Sequence, residues 1–287
     1  MRKWEQVAIV GVGLIGGSIG LALRKRGLAQ TVVGVGRSTK SLETATACGA
    51  ITQATLNLDE AVKAAELVVV CTPVATIAEH VEKVARSCAD RCLITDAGST
   101  KEQIVAALDK AAGSDGRWGR DVRFVGSHPL AGNEKRGAGH ASADLFEDRV
   151  VVVTPSARSS AADRRAIADL WSAMGARVME MSPAEHDQAV ARTSHVPHVV
   201  AAAIAASTPE EYVTLTAGGW LDTTRIAAGD PELWEQILLA NRANVVAGLE
   251  TVEALLARFR QAVANSDRAM LKTLLCQAKK VRDAVGS

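Results

Sequence analysis

The sequence predicts a doubly wound α/β domain with a mostly parallel sheet, followed by an all-α domain. Three observations predict this fold class. Short apolar runs alternate with helix-like patterns, a glycine-rich turn joins the first run to the first helix, and strand signals stop after Ser182-Pro183. Alternation of this kind is typical of parallel strands covered by helices. We therefore expect the sheet domain to cover residues 1–182 and the helical domain to cover residues 183–287.

The predicted strands are short apolar runs that end at glycine, proline or polar residues. In chain order they cover Val7–Val10, Thr31–Val35, Leu67–Thr72, Cys92–Thr95, Val122–Val125 and Arg149–Thr154, and Ala176–Met181 is expected to add an edge strand. The helical patterns between them cover Lys40–Cys48, Asp59–Ala65, Val74–Cys88, Lys101–Ala112 and Ser159–Met174.

The second part of the chain begins with a helix cap at Ser182, followed by a proline suited to a first helical turn. Its apolar residues recur at helical spacing, with glycine-containing breaks, over Glu185–Ser207, Trp234–Ala264 and Ser266–Val285. The longest segment, Pro231–Ala264, has a wider apolar face than a small bundle needs. We expect this face to form a homodimer through the helical domain.

Composition excludes several classes of partner. Lys and Arg number 33 against 32 Asp and Glu, so no sequence-wide charge favours nucleic acid or an anionic membrane. The five cysteines lack zinc-site or CxxC spacing, which fits reduced thiols. No stretch approaches the roughly 18 to 20 apolar residues of a membrane span. We expect a cytoplasmic protein that acts on a small-molecule substrate.

Gly11, Gly13 and Gly16 follow the first apolar strand and open a helix. In that context the first glycine permits a tight turn, the second lets a pyrophosphate approach the backbone, and the third allows close packing of the helix. The motif predicts a Rossmann-type dinucleotide site formed by Gly11, Gly13, Leu14, Ile15 and Gly16. The alternative interpretation is a purely structural glycine turn.

The second strand ends without the carboxylate that usually binds the ribose hydroxyls of NAD, since the chain continues Gly36-Arg37-Ser38. Arg37 and Ser38 are suited to a 2′-phosphate, so the sequence favours NADP over NAD; the alternative is a solvated loop charge. Thr72 and Pro73, after the third strand, are expected near a ribose of the cofactor, although Pro73 equally suits helix initiation.

His128 follows the fifth predicted strand and precedes a glycine-bearing loop. At the ligand edge of an α/β sheet, an imidazole that is neutral near pH 7 is a candidate general base. The alternative is a structural histidine. Ser99 follows the fourth strand, where its hydroxyl either caps the next helix or contacts the substrate and His128.

Three histidines, His186, His195 and His198, lie close together in the helical part. We predict no metal site, because no carboxylate or cysteine completes a tight ligand set and Pro197 disturbs the helix that His195 and His198 would have to share. His186 and His198 are expected to line a polar cleft.

Arg225 follows a glycine pair and is suited to holding a substrate carboxylate through two hydrogen bonds. The alternative is a structural salt bridge with Asp222 or Asp230. Spacing alone does not decide between them.

Five motifs in this order resemble the prephenate/arogenate dehydrogenase family. They are residues 11–18 (GVGLIGGS), 96–99 (DAGS), 126–132 (GSHPLAG), 194–198 (SHVPH) and 222–227 (DTTRIA). The resemblance implies a Rossmann domain followed by a helical dimerisation domain. It also implies oxidation of prephenate to 4-hydroxyphenylpyruvate, or of arogenate to tyrosine, with loss of carbon dioxide.

The resemblance implies a role for each matching residue. His128 would bond the ring hydroxyl, Ser99 would contact the substrate and the nicotinamide, and Arg225 would hold the side-chain carboxylate. The remaining matches are placed around the cleft, with His186 and Asp222 near its entrance and Ser194 and His198 along its wall. The chain departs from the family pattern at Gly36, where NAD-using relatives often have Asp, and at Asn133, in a loop that often reads Ala-Gly-Thr-Glu.

Two other classes remain as alternatives. A β-hydroxyacid dehydrogenase or a pyrroline carboxylate reductase would share the glycine motif and the helical second half, but such enzymes ordinarily offer a lysine where residues 194–198 have none. A catalytically silent NADP sensor or scaffold would not need His128, Ser99 and Arg225 together. The choice between prephenate and arogenate stays open.

Overall fold

The computed structural model describes residues 2–114, 121–132 and 135–286. Six parallel strands form the main sheet in the order β3-β2-β1-β4-β5-β6. They are β1 (Trp4–Val10), β2 (Ala29–Val35), β3 (Gln53–Thr55), β4 (Leu67–Val70), β5 (Leu93–Asp96) and β6 (Arg123–Phe124). The predicted doubly wound sheet is confirmed. Strand order reverses between β1 and β4, and open α/β sheets bind ligands beyond the carboxyl ends of such strands.

Both faces of the main sheet are buried, which is why its strands read as continuous apolar runs. Val7 and Ile9 of β1 pack into a core on one face, and Ala8 and Val10 pack into a core on the other. The first core includes residues of α1 (Leu14–Lys25), α2 (Thr39–Ala47) and α6 (Ala161–Ala173). The second includes residues of α3 (Leu58–Val62), α4 (Val74–Ser87) and α5 (Glu102–Ser114).

A second sheet of three strands lies beside the first: β7 (Gly126–Pro129), β8 (Val150–Thr154) and β9 (Arg177–Glu180). One expectation is therefore wrong, because the sixth predicted strand, now β8, does not extend the parallel sheet but pairs antiparallel with β7. His128 follows the fifth predicted strand, now β6, as expected, but it lies within a further strand, β7, opposite Val152. Gly-Ser-His-Pro has little intrinsic strand propensity, so β7 depends on its pairing with β8.

Helices follow from residue 183 onward. They are α7 (Pro183–Val190), α8 (Val196–Ser207), α9 (Gly218–Thr224), α10 (Pro231–Ala240), α11 (Arg242–Ala264) and α12 (Arg268–Ala284), with a π-helical turn over Ala191–His195. Ser182 caps α7 through a reciprocal capping box with Glu185. The expected continuous segment from Pro231 to Ala264 instead breaks at Asn241, whose buried side chain bonds the backbone of Asp187.

The helical part packs directly on the sheet part, because Ile237 of α10 is buried in the same core as residues of α4. Within the described ranges, none of the helices combines the length and the apolar character needed to cross a membrane.

Candidate active site

The glycine turn lies at the switch point, between β1 and α1. Gly11 has a φ of +96°, and a Cβ there would lie 2.8 Å from the carbonyl oxygen of Cys71. A Cβ at Gly16 would overlap the backbone of Gly11, whereas one at Gly13 would meet nothing within 4 Å. Gly13 is the N-cap of α1 and offers no side-chain cap. The backbone amides at the start of α1, beside Leu14 and Ile15, therefore face open space that suits a pyrophosphate.

The end of β2 offers donors and no carboxylate. Ser38 is the N-cap of α2, and its hydroxyl accepts a hydrogen bond from the backbone amide of Ser41 at 3.3 Å. The first turn of α2 contains no acidic residue. Arg37 is exposed and forms no ion pair with another described residue. A Cβ at Gly36 would lie 3.0 Å from the Leu42 side chain, so the glycine is favoured here by packing as well.

Thr72 and Pro73 follow β4 at the same edge. Pro73 is the N-cap of α4, which agrees with the helix-initiation interpretation. The Thr72 hydroxyl lies 3.4 Å from Nδ1 of His80, which also lies 2.7 Å from the backbone carbonyl of Thr76. The hydroxyl is half-buried and remains accessible to a ligand at the sheet edge.

A row of three polar side chains runs from β7 into α7. His128 is half-buried, and its Nδ1 lies 2.8 Å from Nε2 of His186. His186 Nδ1 in turn lies 2.7 Å from a carboxylate oxygen of Asp187. His186 and Asp187 are buried, so the expected place of His186 near a cleft entrance is wrong. The other ring nitrogen of His128, Nε2, faces away from this row.

The start of α5 holds the Asp187 carboxylate in place. One oxygen accepts the backbone N–H of Lys101 at 2.8 Å, and the other accepts that of Glu102 at 3.0 Å. Asp187 thus caps α5 from the helical part of the chain, where the helix dipole favours a negative charge. The side-chain amide of Asn241 donates to the backbone carbonyl of Asp187 at 2.7 Å.

A buried ion pair supports the strand that carries His128. Lys101 Nζ contacts a carboxylate oxygen of Asp96 and donates to the backbone carbonyl of Ser127 at 3.0 Å. The second Asp96 oxygen accepts the Ser127 N–H at 3.1 Å. The Ser127 hydroxyl accepts from the indole N–H of Trp171 at 3.0 Å. Together these bonds fix β7 against the end of β5.

Burial favours the neutral form of His128, His195 and His198. It lowers the pKa of His128 well below the usual value near 6.5, and electrostatic interactions with His186, Lys101 and His195 lower that pKa further. Burial also lowers the pKa of His195 to about 4 and lowers the pKa of His198. A neutral His128 is a competent proton acceptor at physiological pH.

Ser99 is half-buried in the segment between β5 and α5. Ser99 does not cap α5, because that helix begins only at Glu102 and Asp187 accepts its first N–H groups instead. Among the described residues its side chain has no hydrogen-bond partner, and no bond to His128 is formed. Its hydroxyl is free to take a ligand.

Ser194 lies in the π-helical turn, a feature that often marks functional sites, and His198 follows it in α8. The His198 ring stacks on Trp234, with centroids 3.5 Å apart and planes 11° apart. Nδ1 of His198 is buried and has no hydrogen-bond partner in the part of the chain that the structure describes. Ser194 is half-buried one turn earlier.

Arg225 and Asp222 lie on the exposed surface around the end of α9. The salt bridge considered for Arg225 is not formed with Asp230, which pairs with Arg136 at 2.5 Å instead. Arg225 has no ion pair with any residue in the described ranges, so its guanidinium is free for an anion.

Sequence reasoning missed the groups that join distant parts of the chain. Lys101, Asp187, Asn241 and Trp234 had no role assigned to them, and only the adjacency of His186 and Asp187 in the chain was a usable signal. The departure noted at Asn133 lies outside the described residues. Among the described residues, no cluster of three or more His, Cys, Asp or Glu side chains is arranged to hold a metal ion.

An open glycine turn at the switch point of a Rossmann-type sheet and a neutral imidazole on a neighbouring strand define a dinucleotide-dependent dehydrogenase. Comparison with known families agrees. The family model for the nucleotide-binding domain of prephenate dehydrogenase matches residues 19–180, and the model for its dimerization domain matches residues 182–277. The chain belongs to the prephenate dehydrogenase family.

Individual relatives are similar over almost the whole chain. Prephenate dehydrogenase of Bacillus subtilis is 32% identical over 98% of this chain and 76% of the relative. The crystal structure of prephenate dehydrogenase from A. aeolicus, in complex with hydroxyphenyl propionate and NAD+, is 31% identical with a TM-score of 0.88, covering 98% of each chain. Synechocystis arogenate dehydrogenase is 27% identical with a TM-score of 0.80, covering 98% of this chain and 99% of that chain.

Proposed function

We propose that this chain catalyses the NAD(P)-dependent oxidative decarboxylation of prephenate to 4-hydroxyphenylpyruvate, a step of tyrosine biosynthesis. The observation that carries the proposal is the Nε2 of a neutral His128 at the ligand edge of the sheet, which has no hydrogen-bond partner among the described residues. Membership of the prephenate dehydrogenase family supports the choice of substrate.

The residues of the glycine turn fit a dinucleotide. Gly11, Gly13 and Gly16 shape the turn, and the amides beside Leu14 and Ile15 would hold the pyrophosphate. A bound nicotinamide would supply the acceptor for a hydride from the ring carbon of the substrate. Thr72 and Pro73 would contact a ribose of the cofactor.

NADP is the proposed preference over NAD. Three features support a 2′-phosphate site. No carboxylate follows β2, the guanidinium of Arg37 is exposed, and the first turn of α2, after Ser38, contains no acidic residue. Comparing the KM values for NADP+ and NAD+ tests this preference, and Arg37→Ala should raise the KM for NADP+ alone. A lower KM for NAD+ in the wild-type protein would refute it.

His128 acts on the ring hydroxyl. Its Nε2 takes the hydroxyl proton as the hydride leaves the ring carbon, and general-base help of this kind is worth about 10² to 10⁴ in rate. The ring carboxylate then leaves as carbon dioxide, its bonding electrons enter the ring, and the ring oxygen takes the proton back from His128. Ser99 would orient the hydroxyl, and alignment contributes several kcal/mol more.

The side chain of the substrate would be held by the helical part. The Arg225 guanidinium, which forms no ion pair with a described residue, fits a carboxylate through two hydrogen bonds, with Asp222 close to it on the surface. Ser194 and the stacked pair of His198 and Trp234 would form the wall of the cleft.

Arogenate shares the ring and differs only in its amino side chain, so arogenate oxidation is the second candidate, favoured by the similarity to Synechocystis arogenate dehydrogenase.

The proposal also includes a boundary between the two domains at residues 182 and 183. It further includes a homodimer formed by the helical domain. Seven large apolar side chains of the last two helices are exposed in the single chain, and they are Val246, Leu255, Leu256, Val263, Met270, Leu275 and Val281. Light scattering at micromolar concentration should give twice the chain mass of 30.1 kDa. A monomeric mass would reject the homodimer.

The activity is tested with purified protein, prephenate or arogenate, and NADP+ or NAD+. We expect reduced nicotinamide to appear together with 4-hydroxyphenylpyruvate or tyrosine, and kcat/KM for the two substrates decides between them. No reduction of either cofactor with either substrate would overturn the proposed function.

A further inference from the structure

We propose that His186 and Asp187 are positioning residues, which fix the tautomer of His128 so that its Nε2 is the bare, proton-accepting nitrogen. The row of side chains from β7 into α7 carries this inference, which rests on the proposed function for its kinetic consequences. Neither residue needs to touch the substrate, since both act through His128.

The direction of each hydrogen bond follows from the carboxylate at the end of the row. A carboxylate only accepts, so His186 Nδ1, at 2.7 Å from Asp187, must carry a hydrogen. A neutral His186 then has a lone pair on Nε2. His128 Nδ1, at 2.8 Å from that nitrogen, must therefore donate. A neutral His128 with its hydrogen on Nδ1 has an unprotonated Nε2.

The surroundings of Asp187 make this arrangement rigid. Both carboxylate oxygens accept backbone N–H groups at the start of α5, and Asn241 holds the backbone of the same residue. Asp187 and His186 are 1% and 0% exposed, so water does not compete for these bonds. The carboxylate also stabilises the positive charge that His128 acquires on taking a proton, because the two rings share a hydrogen bond.

A purely structural interpretation is also available, since Asp187 caps α5. The two interpretations differ in whether the effect of Asp187 passes through His128. A cap contributes to stability whatever residue occupies position 128, whereas a tautomer-setting carboxylate has no effect on kcat once the imidazole is gone.

The kinetic experiment is a double-mutant cycle with Asp187→Asn and His128→Asn. Asp187→Asn alone should lower kcat by at least about 100-fold, with little change in the KM for either substrate. In the His128→Asn background the same substitution should change the remaining kcat by less than about threefold. Equal losses in the two backgrounds would overturn the proposal and leave Asp187 as a cap only.

A matched control is Asp163→Asn. Asp163 is also a buried carboxylate at a helix start, where it accepts from the Ser160 hydroxyl, and it pairs with Arg123 rather than with any member of the row of histidines. This variant should lose stability and keep its kcat within about threefold. If it loses kcat as Asp187→Asn does, the effect belongs to buried carboxylates in general and the proposal fails.

A second pair of variants keeps the proposal testable if Asp187→Asn does not fold. The amide oxygen of His186→Gln can still accept from His128 Nδ1, whereas His186→Leu offers no acceptor. The glutamine variant should keep at least about tenfold more kcat than the leucine variant. Equal activities would contradict the inference.

Nitrogen-15 NMR of histidine-labelled wild-type protein reads the tautomer directly and requires no turnover. We expect the His128 signals, identified by their loss in His128→Asn, to show a protonated Nδ1 and an unprotonated Nε2. A hydrogen on Nε2 would refute the inference even if prephenate is a substrate. If the protein shows the expected tautomer but has no activity on prephenate or arogenate, the proposed function is refuted and the inference about His128 stands.

Discussion

Acid should destabilise this protein partly through one buried histidine in the helical part. His195 is 1% exposed, and its Nδ1 accepts a hydrogen bond from the side-chain amide of Asn241 at 3.2 Å. Only a ring without a hydrogen on Nδ1 can accept, so protonation breaks this bond. Burial lowers the pKa of His195 from 6.5 to about 4 in the folded protein.

The sign and size of the effect follow from linkage. The unfolded chain takes up a proton near pH 6.5 and the folded chain only near pH 4, so folding stability is lost as the pH falls through this window. Each pH unit below 6.5 costs about 1.4 kcal/mol. Between pH 7 and pH 5, His195 alone should therefore remove about 2 kcal/mol from the free energy of unfolding.

Urea unfolding of wild type and His195→Gln at pH 7 and pH 5 measures this contribution. Glutamine does not titrate and keeps an oxygen that accepts from Asn241, so the variant should lose about 2 kcal/mol less than wild type over the two pH values. His140→Gln removes an exposed histidine and should behave like wild type. The reasoning is refuted if His195→Gln and wild type lose stability equally.

Three further predictions follow from the site. Lys101→Met should lower the free energy of unfolding, measured in urea, by about 3 to 5 kcal/mol, because it leaves Asp96 charged and buried. Adding Asp96→Asn should restore part of that loss. A cost below about 1 kcal/mol would contradict the buried pair. Gly13→Ala should keep the free energy of unfolding within about 1 kcal/mol of the wild-type value, because the added Cβ meets no atom within 4 Å. The same variant should bind the dinucleotide more weakly in a titration. Unchanged affinity would argue against a pyrophosphate at this turn. Arg225→Ala should raise the KM for prephenate by at least about tenfold, with a smaller change in kcat, whereas an unchanged KM would remove Arg225 from the substrate site.

Local sequence features predicted the parts of the fold that local interactions determine. The turn at Gly11 and Gly13 needs only neighbouring residues, and the strands of the main sheet are apolar on both faces. The short strands β3 and β7 were missed because Gln-Ala-Thr and Gly-Ser-His-Pro have no apolar pattern. Their pairing depends on partners elsewhere in the chain, which a local pattern does not contain.

The sequence suggested candidate site residues one by one but not their arrangement. His128 was predicted to be a base from its place in the sequence, yet the side chain that bonds its Nδ1 comes from α7, more than fifty residues further along the chain. Asp187 caps α5 across 86 positions, and Lys101 was assigned only to a helix start. Periodicity indicates which face of a helix is buried, whereas the partner of a buried charge is decided by tertiary packing.

The central claim is that Nε2 of His128 accepts the proton of the substrate hydroxyl. The most direct test compares kcat and KM for prephenate in wild type and in His128→Asn, whose side chain is similar in polarity but cannot act as a base near neutral pH. We predict that kcat falls by about 10² to 10⁴ while the KM changes little. A variant that turns over prephenate at the wild-type rate would contradict the account.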